Sequence, residues 1–182
     1  IKIENLYLDL TTINKASLLI LAGGMGSRYK GQKQVDTLSA NNETLMEFAL
    51  YDAIKVGVRK FVFVINDQFP ADYKERITHL LSNKQCVVHF IEQTIETFIP
   101  DRYLSKVSKR IKPLGTAHAV YCAKDVIKEP FITMNADDFY GYETFKAAYE
   151  FIDSGNISAN KFAMCAFELS NTLSENGSVS RG

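Results

Sequence analysis

Short apolar runs alternate with stretches of helical periodicity along this chain, and that alternation narrows the possible folds more than any other feature. The runs are rich in β-branched and aromatic residues, and several are apolar at nearly every position, which is typical of strands buried on both faces. They lie at 17–22, 61–65, 87–92, 131–137 and 162–169. Helical patterns separate them, at 43–57, 72–83, 116–127 and 142–153. The alternation predicts βαβ units and an α/β fold with a mostly parallel central sheet.

One segment, 94–115, interrupts this pattern. Its helical periodicity is weak, and five Lys or Arg residues follow Asp101 within it. It is too long for an ordinary connection between a strand and a helix. We therefore interpret it as a functional loop, a flap or an insertion.

Length and charge limit the classes of protein that this chain can represent. Its 182 residues suggest one domain, and the 21 basic residues balance the 21 acidic ones. No global charge attracts a nucleic acid or a membrane surface, so we expect neither as a partner and any anion site must be local. The longest apolar stretch, 16–22, is too short to span a bilayer, and no signal peptide is recognisable.

Cysteine usage indicates a reducing compartment. Cys86, Cys122 and Cys165 are widely spaced and resemble neither a metal knuckle nor a disulfide framework. We interpret them as buried free thiols and expect a cytoplasmic protein. Assembly into a homo-oligomer stays open.

A glycine turn directly follows the first predicted strand. Gly23, Gly24 and Gly26 come after the apolar run, and Arg28 and Lys33 follow them. Glycine permits positive φ and lets a ligand approach the main chain, and successive N–H groups in such a turn can hold phosphate oxygens. Arg can bind two such oxygens at once, and Lys adds a point charge. The alternative is a tight turn whose basic residues are solvated.

Two common phosphate-binding motifs do not fit this turn. A P-loop needs GxxxxGK followed by Ser or Thr, but Gly26 and Gly31 are followed by Gln32 and Lys33. The dinucleotide motif GxGxxG would begin at Gly24 and has Tyr29 at its third glycine. A nicotinamide dehydrogenase is therefore disfavoured.

A third pattern matches better. The stretch AGGMGSRYKGQKQ resembles the signature loop of the sugar nucleotidyltransferases, also called nucleoside-diphospho-sugar pyrophosphorylases. That loop has the form GGxGxR, a short spacer and a lysine, and the three glycines, Arg28 and Lys33 match it. Gln32 stands where that family often has proline. The resemblance implies that the strand end, Leu21 and Ala22, also lies beside the nucleotide.

Three later stretches resemble other segments of the same family. PLGTAHAV contains Gly115 and Thr116, which the resemblance places beside the base and ribose; Thr116 can also cap a helix, whose N-terminus favours an anion. FITMNADDFYG resembles the segment that holds magnesium, with Asp137 as the ligand. SENGSVSRG resembles the loop over the sugar, and implies sugar contacts from Glu175, Asn176 and Gly177. Taken singly, these stretches also fit a plain capped helix or a solvated turn.

The resemblance implies a three-layer, Rossmann-like sandwich of the nucleotide-diphospho-sugar transferase type, with a mostly parallel, mixed sheet. It implies Mg²⁺-dependent condensation of an NTP with a sugar 1-phosphate, giving an NDP-sugar and pyrophosphate. Arg28 and Lys33 would be catalytic, and UTP is weakly favoured over other NTPs. We expect residues 1–182 to form a single nucleotidyltransferase domain, incomplete at its C-terminus. Transfer to another phosphorylated alcohol, such as phosphocholine, and a catalytically silent binding module remain alternatives.

Overall fold

The computed structural model describes residues 15–24, 40, 42–110, 113–155, 157–158 and 160–172. Four strands form one sheet within these ranges: β1 (Ser17–Leu21), β2 (Lys60–Ile65), β3 (Val87–Glu92) and β4 (Phe131–Asn135). Their order is β3-β2-β1-β4, and every neighbouring pair is parallel. The predicted parallel α/β sheet is confirmed.

Five α-helices lie between and after these strands in the described part of the chain. They are α1 (Leu45–Val56), α2 (Ala71–Ser82), α3 (Asp101–Val107), α4 (Thr116–Cys122) and α5 (Tyr142–Asp153). A 3₁₀ helix follows at Leu169–Thr172. No described helix has the length and apolar character needed to cross a membrane.

The helices cover the sheet on both faces, which produces three layers. Alternate strand residues point to opposite faces, so Leu18 and Phe63 pack on one side with residues of α1, α2 and α5. Leu19 and Val62 pack on the other side with Ala119 of α4. Burial on both faces explains why the central strands β1 and β2 are apolar at nearly every position, whereas the edge strands β3 and β4 are only partly buried.

The start of α1 is fixed by a capping box. The Thr44 side chain accepts a hydrogen bond from the Glu47 backbone N–H, and the Glu47 carboxylate accepts one from the Thr44 N–H. Arg76 of α2 donates two hydrogen bonds to this buried carboxylate, at 2.7 and 3.0 Å. These contacts hold the N-terminus of α1 against α2.

Two predictions of secondary structure need correction. The apolar run 162–169 contains no strand, since 161–168 has no regular structure and Phe162 and Met164 are 92% and 91% exposed. The helix predicted over 116–127 ends at Cys122. The segment 94–115, interpreted as a functional loop, a flap or an insertion, contains the helix α3.

The cysteines are free, as predicted, but differ in burial. Cys86 and Cys122 are buried, whereas Cys165 is exposed, so the prediction that all three thiols are buried was wrong for Cys165. Burial raises the pKa of the Cys86 and Cys122 thiols, which keeps them protonated and unreactive.

Candidate functional site

The C-terminal ends of the four parallel strands meet at one edge of the sheet, where ligands bind in open α/β folds. A glycine or polar residue follows each strand end by one or two positions. These residues are Gly23 after β1, Asn66 after β2, Gln93 after β3 and Asp137 after β4. This edge is the candidate site.

Backbone hydrogen bonds continue the sheet slightly beyond the strand ends. The Ala22 N–H donates to the Val64 carbonyl at 2.8 Å, and the Ala136 N–H donates to the Leu21 carbonyl at 3.2 Å. Ala22 is fully buried in the core, main chain included. Because Leu21 is the register partner of Asn135, the turn at Gly23 follows β1 beside the segment that carries Asp137.

Close packing, rather than an unusual backbone conformation, limits the space for a side chain at Gly23. A Cβ atom at Gly23 would lie 3.3 Å from Oε1 of Gln93 and 3.9 Å from the Val64 carbonyl oxygen, whereas one at Gly24 would meet nothing within 4 Å. Neither glycine has a positive φ. Gly24 is exposed, and a side chain there would meet open space.

Asn66 fixes the carbonyl group of Gly23. Its side-chain Nδ2 donates to the Gly23 oxygen at 2.7 Å, and its Oδ1 accepts from the Gln68 backbone N–H at 3.1 Å. The end of β2 therefore holds the glycine turn from one side.

Gln93 also packs against this turn, because its Oε1 lies 3.3 Å from the position of a Cβ at Gly23, and the sequence analysis missed this residue. Its backbone N–H donates to the Ile65 carbonyl at 2.8 Å, and its buried side chain lies between Gly23 and the turn that begins α4. Its Nε2 is 3.3 Å from the Gly115 carbonyl oxygen and 3.0 Å from Nδ1 of His118. The available signal was a polar residue directly after the apolar run VVHFIE.

Gly115 has the backbone conformation that favours glycine. Its φ of 96° and ψ of −179° occupy a region that other residues avoid. Gly115 also stands at the N-cap of α4, so Thr116 is the first helical residue and provides no side-chain cap. The expectation that Thr116 caps the helix was therefore wrong, although Thr116 is exposed at this turn.

The two carboxylates after β4 differ in their surroundings. The Asp138 carboxylate accepts a hydrogen bond from Nδ2 of Asn135 at 2.9 Å, whereas Asp137 is exposed. The Tyr140 hydroxyl accepts from the Asn135 backbone N–H at 3.0 Å. Burial raises the pKa of this phenol, and the negative charges of Asp138 and Asp137 add to the effect. Tyr140 therefore stays protonated beside two carboxylates.

These carboxylates decide whether the site fits a divalent cation. Within the described ranges, no group of three or more His, Cys, Asp or Glu side chains could hold a metal alone. Mg²⁺ usually takes only one or two protein carboxylates, and phosphate oxygens and waters complete its shell. An exposed Asp137 at the sheet edge fits that donor set.

Several predicted site residues lie outside the described ranges. On the glycine turn these are Gly26, Arg28 and Lys33, and near the C-terminus they are Glu175, Asn176 and Gly177. The predicted residues that are described end a strand, follow one or begin a helix at this edge; they are Leu21, Ala22, Gly23, Gly24, Gly115, Thr116 and Asp137.

Comparison with known proteins gives one sequence family and one fold. The family model described as Nucleotidyl transferase matches residues 17–178. No curated protein matches the chain in sequence. The structure of the inositol-1-phosphate CTP transferase from T. maritima has a TM-score of 0.51 and 18% identity, over 82% of this chain and 51% of that one. This chain thus spans about half the length of that structure, which shares its fold.

Two further structures have lower similarity. UDP-glucose pyrophosphorylase complexed with UDP-glucose has a TM-score of 0.49 and 18% identity, over 78% of this chain and 54% of that one. HddC from Yersinia pseudotuberculosis complexed with GMP-PN has a TM-score of 0.48 and 23% identity, over 77% of this chain and 54% of that one.

Proposed function

The chain belongs to the nucleotidyl transferase family, and from this premise we propose that it condenses an NTP with a sugar 1-phosphate to give an NDP-sugar and pyrophosphate. The observation that carries the proposal is the shared sheet edge, where the Gly23–Gly24 turn follows β1 and the exposed Asp137 follows the neighbouring β4. Main-chain N–H groups and a cation-binding carboxylate are the two features that a bound triphosphate needs.

The reaction needs alignment and charge stabilisation more than a protein nucleophile. A phosphate oxygen of the acceptor is itself the nucleophile, and it displaces pyrophosphate from the α-phosphorus of the NTP. We assign the backbone of Gly23, Gly24 and Gly26 to the phosphate cradle. Arg28 binds the β- and γ-phosphates, and Lys33 neutralises charge around the α-phosphate or the leaving group.

Asp137 holds the divalent cation in this proposal, and Mg²⁺ is the cation that we expect. When bound, it would neutralise charge on the phosphates and help to align the reacting groups. Asp138, which accepts a hydrogen bond from Asn135, supports the same turn.

The nucleoside and the sugar occupy the two flanks of this cradle. Gly115 and Thr116 border the base and ribose, and Glu175, Asn176 and Gly177 contact the sugar. UTP is the NTP that we favour, on the resemblance of GTAHA to uridylyltransferases, and the choice of sugar is left open.

Pyrophosphate release tests this function. Each of the five common NTPs is supplied with Mg²⁺ and a panel of sugar 1-phosphates, with phosphocholine as a separate acceptor. We expect release that requires one NTP and one sugar 1-phosphate together. Pyrophosphate release only with phosphocholine would show that the acceptor is not a sugar 1-phosphate. Nucleotide binding without turnover or pyrophosphate exchange would indicate a catalytically silent binding module.

A further inference from the structure

The side-chain amide of Gln93 joins the two turns that border the proposed nucleotide site. Its Nε2 lies 3.3 Å from the Gly115 carbonyl oxygen and 3.0 Å from Nδ1 of His118. Its Oε1 is turned the opposite way, to the Gly23 side, where it lies 3.3 Å from the position of a Cβ at that glycine. Gln93 is 8% exposed, so protein atoms rather than solvent determine the orientation of this amide.

Only one neutral tautomer of the His118 imidazole forms hydrogen bonds with both of its neighbours. Its Nε2 is 2.7 Å from the Thr97 carbonyl oxygen, which can only accept, so Nε2 carries the proton. In a neutral ring Nδ1 is then an acceptor, and it receives a proton from the Gln93 amide nitrogen. The two amide protons therefore face two acceptors, Gly115 O and His118 Nδ1, and the amide oxygen must face Gly23.

We propose that His118 is a positioning residue that fixes the Gln93 amide, and through it the spacing of the Gly23 and Gly115 turns between which the nucleotide binds. This inference rests on the proposed function. Without an acceptor at Nδ1, the amide can rotate, and its contacts with both turns change.

The two ring nitrogens of His118 make different hydrogen bonds, which substitutions can remove one at a time. Nδ1 accepts a hydrogen bond from Gln93. Nε2 donates to the Thr97 carbonyl at the start of the segment 94–115. In this turn the backbone N–H groups of Glu96 and Thr97 donate to the Thr94 hydroxyl. Cys122 Sγ lies 4.0 Å from both nitrogens. A thiol is a weak donor and acceptor, so it does not replace either contact.

Two substitutions separate these hydrogen bonds. In His118→Asn, the side-chain oxygen can occupy the place of Nδ1 and accept from Gln93, while the contact with Thr97 is lost. In His118→Gln, the terminal amide can reach the place of Nε2 and donate to Thr97, while the acceptor for Gln93 is lost. His79→Asn is the matched control, because His79 is exposed on α2 and contacts Asn83.

Calorimetric titration with Mg²⁺–NTP measures the consequence for binding. We expect H118Q to bind roughly tenfold more weakly than the wild type, because it leaves a buried donor unpaired, and H118N to stay within about threefold. Thermal melting of each variant shows that it is folded. Weak binding by H118N together with wild-type binding by H118Q would assign the role to Thr97 and overturn the inference.

The protonated nitrogen of His118 can be read in the wild type without any substitution. Long-range ¹H–¹⁵N NMR correlations in mildly alkaline buffer distinguish the two neutral tautomers, and the signal missing from H118N identifies His118. We expect the proton on Nε2. A proton on Nδ1, or equal NTP affinity in wild type and H118Q, overturns this inference alone, whereas a wild type that binds no NTP overturns the proposed function with it.

Discussion

The side-chain amide of Asn66 donates a 2.7 Å hydrogen bond to the carbonyl oxygen of Gly23. This contact joins the end of β2 to the turn after β1, and it fixes the direction of the peptide that leads into Gly24. A turn that binds phosphate through its main chain depends on such a fixed direction, because its donors must be oriented before the ligand arrives.

Substitution of Asn66 by Asp tests that dependence. A carboxylate cannot donate to the Gly23 carbonyl and adds a negative charge near the proposed phosphate site, so we expect N66D to bind Mg²⁺–NTP at least about tenfold more weakly. Gln68→Ala is the control, because the exposed Gln68 contacts Asn66 through its backbone N–H. Equal affinity of N66D and Q68A would contradict the assignment.

Alanine substitutions at the two adjacent glycines should have different effects. Gly23→Ala places a methyl group 3.3 Å from the Gln93 amide oxygen, and we expect a loss of about 1–2 kcal/mol in the free energy of unfolding. Gly24→Ala meets open space, so its stability should change by less than about 0.5 kcal/mol, while NTP binding weakens. Denaturant unfolding and calorimetry measure the two quantities, and a destabilised G24A with normal binding would refute the prediction.

At the opposite end of the strands, Glu129 makes stability depend on pH. Burial by itself would raise the pKa of Glu129, but hydrogen bonds from Lys60, Ser17 and the backbone lower it from 4.5 to about 2. Lys60 Nζ lies 2.8 Å from the carboxylate. Because the folded-state pKa is the lower one, this stabilisation is complete above pH 4.5 and is lost as the pH falls toward 2.

Glu129→Gln should therefore lower the melting temperature at neutral pH and reduce its decrease between pH 4.5 and 2. Glu143→Gln is the control, since the Glu143 side chain is 82% exposed. NTP affinity should not change in E129Q, because Glu129 precedes β4 whereas the proposed site follows its other end. Parallel melting curves for wild type and E129Q across this range would show that the prediction is wrong.

Arg28 is the residue on the glycine turn whose removal should affect chemistry most. A guanidinium that stabilises charge on the departing pyrophosphate is typically worth about 10²–10³ in rate. We expect Arg28→Ala to lose that factor in NTP turnover and to melt at the wild-type temperature. Lys146→Ala, which removes a surface charge from α5, serves as the control, and normal turnover by R28A would remove Arg28 from the mechanism.

The sheet was predictable because a strand that is buried on both faces has an uninterrupted run of apolar residues. Runs such as FVFVI are apolar at every position, and only a central strand of a covered sheet requires this. The run 162–169 has similar composition but forms no strand, since a strand also needs a neighbour and none of the described strands pairs with it. Composition predicts whether a segment favours the extended conformation of a strand, whereas its pairing with another strand depends on the whole fold.

The site was less predictable than the sheet. Glycines and Asp137 belong to recognisable motifs, so their positions at the strand ends could be inferred. Gln93 belongs to no motif that we recognised, and its role follows from side-chain packing at the sheet edge, where its amide lies beside Gly23 and Gly115. The tight space at Gly23 could not be predicted either, because it results from packing against Gln93, which is distant in the sequence.

Binding of NTPs with and without Mg²⁺ tests the central claim most directly, namely that the glycine turn and Asp137 hold one triphosphate between them. Each of the five common NTPs is titrated into the wild type and into Asp137→Asn, first with Mg²⁺ and then with a chelator. We expect at least one NTP to bind the wild type, and both the chelator and D137N to weaken that binding by about tenfold or more, with no additional loss when they are combined. Absence of binding by every NTP, or an affinity that neither the chelator nor D137N changes, would contradict the account.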